Sequence, residues 1–341
     1  MIKRILLVYL TIISITIYTC QGQDKIYISF WNLENLFDTV DDPENPGDDE
    51  FLSSAKSQWD EIKFDKKLSN LSKIIRSMNN GNGPDILGVC EVENRYVLEQ
   101  LSKRFLSDLN YSIVHYDSKD PRGIDVGLLY KKEKFSYISS EPIKVFLQGN
   151  TRDILFTNLK YKDEVLHIFV NHWSSRRGGE AESEPRRIRA ATVLRAKVDS
   201  LLNSDKKSNI IIMGDFNDMP DNKSILMTLM AIPFECDELS PEYTSNLYNT
   251  AYKKYSQGIG SYFHQGKFNM LDQIIISKGL LDKKKLDYLC DSFEVISNEL
   301  NTTRSGKYKG APYPTFGSGR YLGGYSDHFP VGAIFNYMNK K

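Results

Sequence analysis

Cysteine is scarce in this chain, four in 341 residues, and no pair has the C-x-x-C spacing of a structural zinc site. Setting Cys20 aside, Cys90, Cys236 and Cys290 remain, an odd number that argues against a disulfide framework and allows one bridge at most. An excess of either charge is also missing. Lys plus Arg and Asp plus Glu both total 44, so no global positive field holds a polyanion, and any attraction for phosphate has to be local. No repeat of ~20 to 50 residues recurs, and no Pro/Gly/Ser-rich linker divides the chain. The apolar run from Ile5 to Tyr18 is too short to span a bilayer comfortably.

What is present is ample material for a core: 40% of residues are hydrophobic and 12% aromatic. Lys3 and Arg4 ahead of the Ile5–Tyr18 run have the layout of a secretory signal over residues 1–22, so the protein is expected to be exported: periplasmic, outer-membrane-anchored or secreted. Cys20 closes the run and can carry a lipid anchor after cleavage. Tyr18 and Thr19 fit a lipoprotein site poorly, and ordinary cleavage near Cys20-Gln21-Gly22 is an equal alternative. The rest, residues 25–341, reads as a single α+β domain without a transmembrane segment and is expected to be monomeric.

Short β-branched or aliphatic runs predict strands at Ile26–Trp31, Ile86–Val89, Val126–Tyr130, Ile154–Leu159, Leu166–Val170, Ile210–Met213 and Leu271–Ser277. Apolar residues three and four apart predict amphipathic helices over Phe64–Met78 and Ile188–Leu202. The acidic stretch Thr39–Glu50, the Arg/Glu-rich Ser174–Arg189 and the segment Asn301–Gly324 read as long surface loops.

Polar side chains recur where an apolar strand stops. Trp31-Asn32-Leu33-Glu34-Asn35 ends a strand in two amides flanking a carboxylate; a turn role for the amides is an ordinary alternative. Glu91 closes the strand Ile86–Cys90, where a carboxylate needs either a salt bridge or a cation to offset desolvation. His172 follows a strand and precedes Arg176 and Arg177, whose planar guanidinium groups suit phosphate oxygens. In Gly214-Asp215-Phe216-Asn217, an extended chain places Asp215 and Asn217 on one side, where a carboxylate and an amide can hold a water and a phosphate oxygen together. Ser326-Asp327-His328-Phe329-Pro330 offers a carboxylate and an imidazole side by side, and Asp272, on another strand, can orient that imidazole.

The ordered set W-N-L-E, E-V-E-N, N-H-W-S-S-R-R, G-D-F-N-D, L-D-Q-I and S-D-H-F-P, spanning Trp31 to Pro330, resembles the endonuclease/exonuclease/phosphatase superfamily. The resemblance implies a four-layer α/β/β/α sandwich of two packed, mainly antiparallel sheets. It implies a metal site at Asn32, Glu91 and Asp327, with Glu34 as an accessory ligand. Asp215, Asn217, Asp272, His328 and His172 become catalytic residues, His172 at the leaving oxygen. That histidine separates the match from apurinic endonucleases, which lack it. The metal expected is Mg²⁺, with Mn²⁺ or Ca²⁺ as alternatives.

Substrate contacts are expected from Arg176 and Arg177 and, across the turn Asp120–Asp125, from Arg122. Arg186, Arg187 and Arg189 add cation density able to follow a phosphate backbone, diluted by Glu180, Glu182 and Glu184. The aromatics of Lys307–Tyr325 can stack on bases or pack the loop against the sheet. The leading expectation is a non-sequence-specific nuclease. A lipid or small-molecule phosphodiesterase or phosphatase is the second, and an idle, partner-binding fold the third.

Overall fold

When both faces of a sheet are covered, every residue of a strand is buried and successive side chains enter different cores. The computed structural model, which describes residues 24–338 apart from 148, 237, 238, 240 and 241, is built on that rule. The expected signal segment with Cys20 lies outside the described residues.

The strands are, in chain order, β1 (Asp24–Leu36), β2 (Ile86–Val92), β3 (Tyr111–His115), β4 (Asp125–Lys131), β5 (Ser136–Ile143), β6 (Ile154–Tyr161), β7 (Glu164–His172), β8 (Asn209–Asp215), β9 (Ala231–Ile232), β10 (Leu247–Asn249), β11 (Tyr262–His264), β12 (Lys267–Asn269), β13 (Asp272–Ser277), β14 (Leu286–Tyr288), β15 (Glu294–Val295), β16 (Phe316–Gly317), β17 (Arg320–Tyr321) and β18 (Val331–Tyr337). One sheet has the order β14-β18-β1-β2-β4-β3, with β15 also on β18; the other runs β5-β6-β7-β8-β13-β10-β9. Most pairs are antiparallel. The exceptions are β1 with β2, β7 with β8, and β9 with β10.

Parallel neighbours require a crossover, and the two longest helices supply it. Helix α1 (Glu61–Gly81) links β1 to β2, and the shorter α2 (Arg95–Gln100) follows β2. Helix α3 (Glu180–Ser204) links β7 to β8. Each crossover helix covers the outer face of its own sheet, which produces the four-layer α/β/β/α sandwich.

Three cores fill the three interfaces. Ile28, Phe30, Ile86, Leu128, Ile168, Ile211, Met213, Ile274 and Val331 meet between the sheets. Trp31, Leu33, Leu87 and Val89 turn the other way, onto Leu68, Leu71, Ile74 and Ile75 of α1. Phe169, Ile210, Ile212 and Ile275 pack on Ala191, Leu194 and Val198 of α3. Helix α1 starts where the Asp60 carboxylate accepts the Lys63 amide at 2.9 Å.

Each expected strand is present. The expected loop Ser174–Arg189 is corrected: α3 begins inside it, at Glu180, and carries Pro185 within the helix. Proline removes an amide donor and ordinarily breaks a helix, so this segment reads as loop in the sequence. Strand β5 was not anticipated, because Ser136-Tyr137-Ile138-Ser139-Ser140 is an exposed edge with no apolar alternation. Among the described residues, no helix is long and apolar enough to cross a membrane.

Cys236 and Cys290 form the one bridge among the described residues, with Cα atoms 6.1 Å apart and a separation of 54 positions in sequence. It ties the segment after β9 to the end of β14, and so one sheet to the other. Closing a loop of that length restrains the unfolded chain by about 4 kcal/mol. Urea unfolding with and without dithiothreitol should therefore show a clear drop in stability on reduction, and superimposable curves would contradict it.

Candidate active site

The registers of β7, β8 and β13 place three strand-end residues in one row. His172 is the cross-strand partner of Asp215, and Asp215 that of Asp272. In the facing sheet, Asn32 on β1 pairs with Cys90 on β2, and Glu91 follows directly. Glu91 sits at φ 57°, where the β2–β4 register slips between Cys90 and Val92. Such a bulge re-aims a side chain at the cost of backbone strain. Asn217 has a similar φ of 51° just beyond β8. The loop into β18 brings Asp327 and His328 to the same rim.

Asp215 is the hub. Its Oδ2 accepts the Asn32 Nδ2 hydrogen at 3.1 Å and lies 3.8 Å from Nε2 of both His172 and His328. Its Oδ1 accepts the Asn217 amide at 2.9 Å. On the other side of His328, Nδ1 is 2.6 Å from Asp272 Oδ2, and Ser261 Oγ donates to that same carboxylate oxygen. His172 Nε2 is 3.9 Å from Glu91 Oε1, and Glu91 Oε2 accepts the Asn35 amide at 3.0 Å. Glu91, His172, Asp215 and His328 line a cleft of about 600 Å³ together with Asp327, Asn217, Arg122, Arg176, Arg177 and Tyr262.

Burial and charge drive the two imidazoles apart. Burial draws the His328 pKa down, but Asp272 and Asp215 more than reverse this and hold it well above the usual histidine value. His172 is held well below that value, by burial first and then by Arg152 and Arg122. Asp215 is raised to about 6, chiefly by burial, with His328 opposing and Asp272 adding to the rise. Near neutral pH the arrangement is a charged His328, a neutral His172 and a carboxylate between them poised to take a proton.

Asn32, Glu91, Asp327, Asp215, Asn217, Asp272, His172 and His328 thus share one site. Glu34 does not face the cleft as an accessory ligand would. Its carboxylate oxygens accept the amides of Thr315 and Phe316 at 2.6 and 2.9 Å, fastening the loop that leads to Asp327. Arg122 reaches the cleft, donating to Asn35 Oδ1 at 2.6 Å and lying 3.5 Å from Glu91. Arg177 is exposed there with no ion-pair partner among the described residues.

Arg176 also lines the cleft, but with internal partners. Its guanidinium is spent within the protein, donating to Asn217 O at 2.7 Å and Asn222 Oδ1 at 2.9 Å and pairing with Asp218 and Glu180. Arg187 is fully buried against Asp218 at 2.7 Å, so it cannot follow a phosphate backbone. Phe316 and Tyr321 pack on Trp59, where they hold their loop and are not free for bases.

Four supporting residues escaped the sequence reading because their partners are remote along the chain. Tyr262 stacks on His328 with ring centroids 4.6 Å apart, and Ser261 holds Asp272. Arg152 donates to the carbonyls of His172 and Trp173 at 3.2 and 2.8 Å and pairs with Asp120 at 2.9 Å. Lys67 is the fourth, a lysine of α1 with 1% exposure. Its ammonium donates to Thr315 Oγ1 and to Tyr325 O. Burial lowers its pKa, while Glu34 and Asp327 oppose that change.

Lys67→Met removes the buried hydrogen bonds to Thr315 Oγ1 and Tyr325 O that brace the loop before Asp327, a loss of about 1–3 kcal/mol. Its denaturation midpoint should fall accordingly; an unchanged midpoint would show that the lysine does not brace that loop.

Burial raises the Asp327 carboxyl pKa, His328 lowers it and Glu91 raises it again. The Asp327 and Glu91 carboxylates, beside the amide of Asn32, are a hard-oxygen donor set suited to a divalent cation.

Residues 27–340 match the model of the Endonuclease/Exonuclease/phosphatase family. No curated protein matches the sequence significantly. Among solved structures, D. rerio TDP2 complexed with a single-strand DNA product superimposes with a TM-score of 0.56 at 14% identity, over 92% of this chain and 99% of that one. The human Nocturnin catalytic domain with bound sulfate gives 0.54 at 18%, over 93% and 98%. A mannosyl-6-phosphatase from Bacteroides thetaiotaomicron gives 0.55 at 15%, over 92% and 100%. At these identities the likeness speaks for the fold.

Proposed function

The chain belongs to the endonuclease/exonuclease/phosphatase family, whose members are phosphoester hydrolases, and from that premise we propose that it is an exported, Mg²⁺-dependent phosphodiesterase cutting nucleic-acid strands without sequence preference. The observation that carries the reading is Asp215 set 3.8 Å from each of two imidazoles of opposite protonation tendency. One carboxylate with a charged and a neutral imidazole beside it provides a base, a donor to the phosphoryl oxygens and a group near the leaving oxygen.

The metal would be held by Glu91, Asp327 and Asn32 and would polarise the phosphate. Asp215 draws the proton from the attacking water, which the Asn217 side of the cleft helps orient. His328, kept charged by Asp272, donates to a phosphoryl oxygen through Nε2. His172 lies on the Glu91 side, near where the ester oxygen departs. Arg122 and Arg177 supply the local cations that a neutral chain needs to hold a phosphate backbone.

The single-strand product in the TDP2 complex supports a nucleic-acid strand as substrate. The Cys236–Cys290 bridge supports export to an oxidising compartment.

A second reading, a phosphatase of small esters, is favoured by one feature. An acidic cleft of about 900 Å³ adjoins the Arg122 turn, and it repels an extended polyanion on that side. Single-stranded DNA, plasmid, RNA, bis-para-nitrophenyl phosphate and sugar monophosphates, each with Mg²⁺ or EDTA, separate the two. We expect Mg²⁺-dependent cutting of single strands and of the diester, abolished by EDTA. Phosphate release from monoesters alone would establish the second reading and overturn the first.

A further inference from the structure

The acidic cleft lies between the loop after β1 and the turn before β4. Eight carboxylates wall it, Asp38, Asp41, Asp42, Asp117 and Asp125 among them, against one lysine, Lys119. On the loop side, oxygens of Asp41, Asp48 and Asp49 lie within 4.8 Å of one another. Asp41 and Asp49 are exposed, whereas Asp48 is 2% exposed. Asp48 Oδ2 accepts the Asp42 amide at 2.8 Å. Its Oδ1 is buried with no hydrogen-bond partner among the described residues.

A buried carboxylate oxygen without a donor is destabilising, and two further carboxylates beside it add repulsion. A cation shared by the three carboxylates offsets their repulsion and gives the buried Asp48 a counter-charge.

We propose that Asp41, Asp48 and Asp49 bind a calcium ion, separate from the active-site metal, that sets the turn carrying Arg122. The spacing suits calcium. Ca²⁺–O distances run roughly 2.3–2.6 Å, so oxygens separated by up to 4.8 Å still share one ion. Calcium also accepts six to eight oxygens in adaptable geometry, which a loop can provide, whereas Mg²⁺ demands a tight octahedron.

The link to Arg122 is steric. A Cβ on Gly47 would meet the Arg122 backbone at 2.6 Å, and one on Gly123, at φ 65°, would meet the Asn45 side chain. The loop therefore lies directly against the turn, and fixing one fixes the other.

Calorimetry and thermal unfolding with CaCl₂ test the site on the Glu91→Gln protein, whose active-site metal is disabled. One calcium should bind, raising Tm by about 5 °C at a hundredfold excess over Kd. Asp41→Asn and Asp49→Asn, both exposed and so harmless to folding, should each weaken binding at least tenfold. No calcium-dependent heat or Tm shift in Glu91→Gln would overturn the site, as would undiminished binding in the Asp41→Asn/Asp49→Asn double variant. Neither result involves turnover, so the phosphodiesterase reading stands or falls separately. In the wild-type enzyme at saturating Mg²⁺, calcium should lower KM for bis-para-nitrophenyl phosphate about threefold but leave Arg122→Ala unaffected; equal responses would overturn the link to Arg122.

Discussion

His328→Ala should lower kcat at least a thousandfold while the protein stays folded. General acid–base groups typically contribute about 10²–10⁴-fold, and His328 additionally carries positive charge toward the reacting phosphate. That charge is the product of a contest. Burial alone would leave the ring neutral, and Asp272 and Asp215 together prevail over it. Removing the ring also strips Asp272 of its partner at 2.6 Å, so some stability is lost, but each sheet retains its core. Asp272→Asn is the companion variant. It keeps the volume and a hydrogen bond but removes the charge that holds the imidazolium, so its rate should fall nearly as far. A His328→Ala rate within tenfold of wild type would remove the histidine from the mechanism.

Asp215→Asn should be comparably severe, about a thousandfold, with a distinctive pH signature. The folded-state pKa of Asp215 is raised to about 6, above its ordinary value near 3.8, so the carboxylate loses its charge as pH falls through 6. If it is the base, kcat/KM of the wild-type enzyme declines about tenfold per pH unit below that point. The residual activity of Asp215→Asn should lack that acid limb. The same limb in the variant would assign it to another group, and a near-normal rate would end the assignment of Asp215 as base. The corresponding stability effect has the opposite sense. A raised carboxylate pKa favours the folded state at low pH, and the contribution disappears as pH rises through 6. Activity and metal-free stability thus pull in opposite directions at this residue.

Much of this architecture was legible in the chain because its cause is local. Ile210-Ile211-Ile212-Met213, short, β-branched and bounded by polar residues, reads as a strand covered on both faces, and Leu68, Leu71, Ile74 and Ile75 recur at the helical period. The abrupt change from such a run to Gly-Asp-Phe-Asn marks Asp215 and Asn217 as loaded strand ends. Where local signals conflict, the sequence misleads. Pro185 masks the start of α3, and the arginines from Arg176 to Arg189 read as one basic surface although Arg187 is buried on Asp218 and Arg176 is bound to the Asn217 loop. A side chain's direction along a helix or around a loop is set by its partners, and these lie about 30 to 40 residues away.

By itself, then, the sequence determined the buried central strands, the apolar faces of the two crossover helices, the absence of a global basic field and the identity of the strand-end groups. Those follow from side-chain period and from charge count. Only the tertiary structure decided that Glu34 fastens a loop while Glu91 faces the cleft, that Lys67 underlies Asp327, and that Cys236 pairs with Cys290. It also decided which imidazole is charged. A pKa depends on burial and on neighbours within a few ångströms, and His328 is brought to Asp272, 56 residues away in the chain, only when two sheets close on one another.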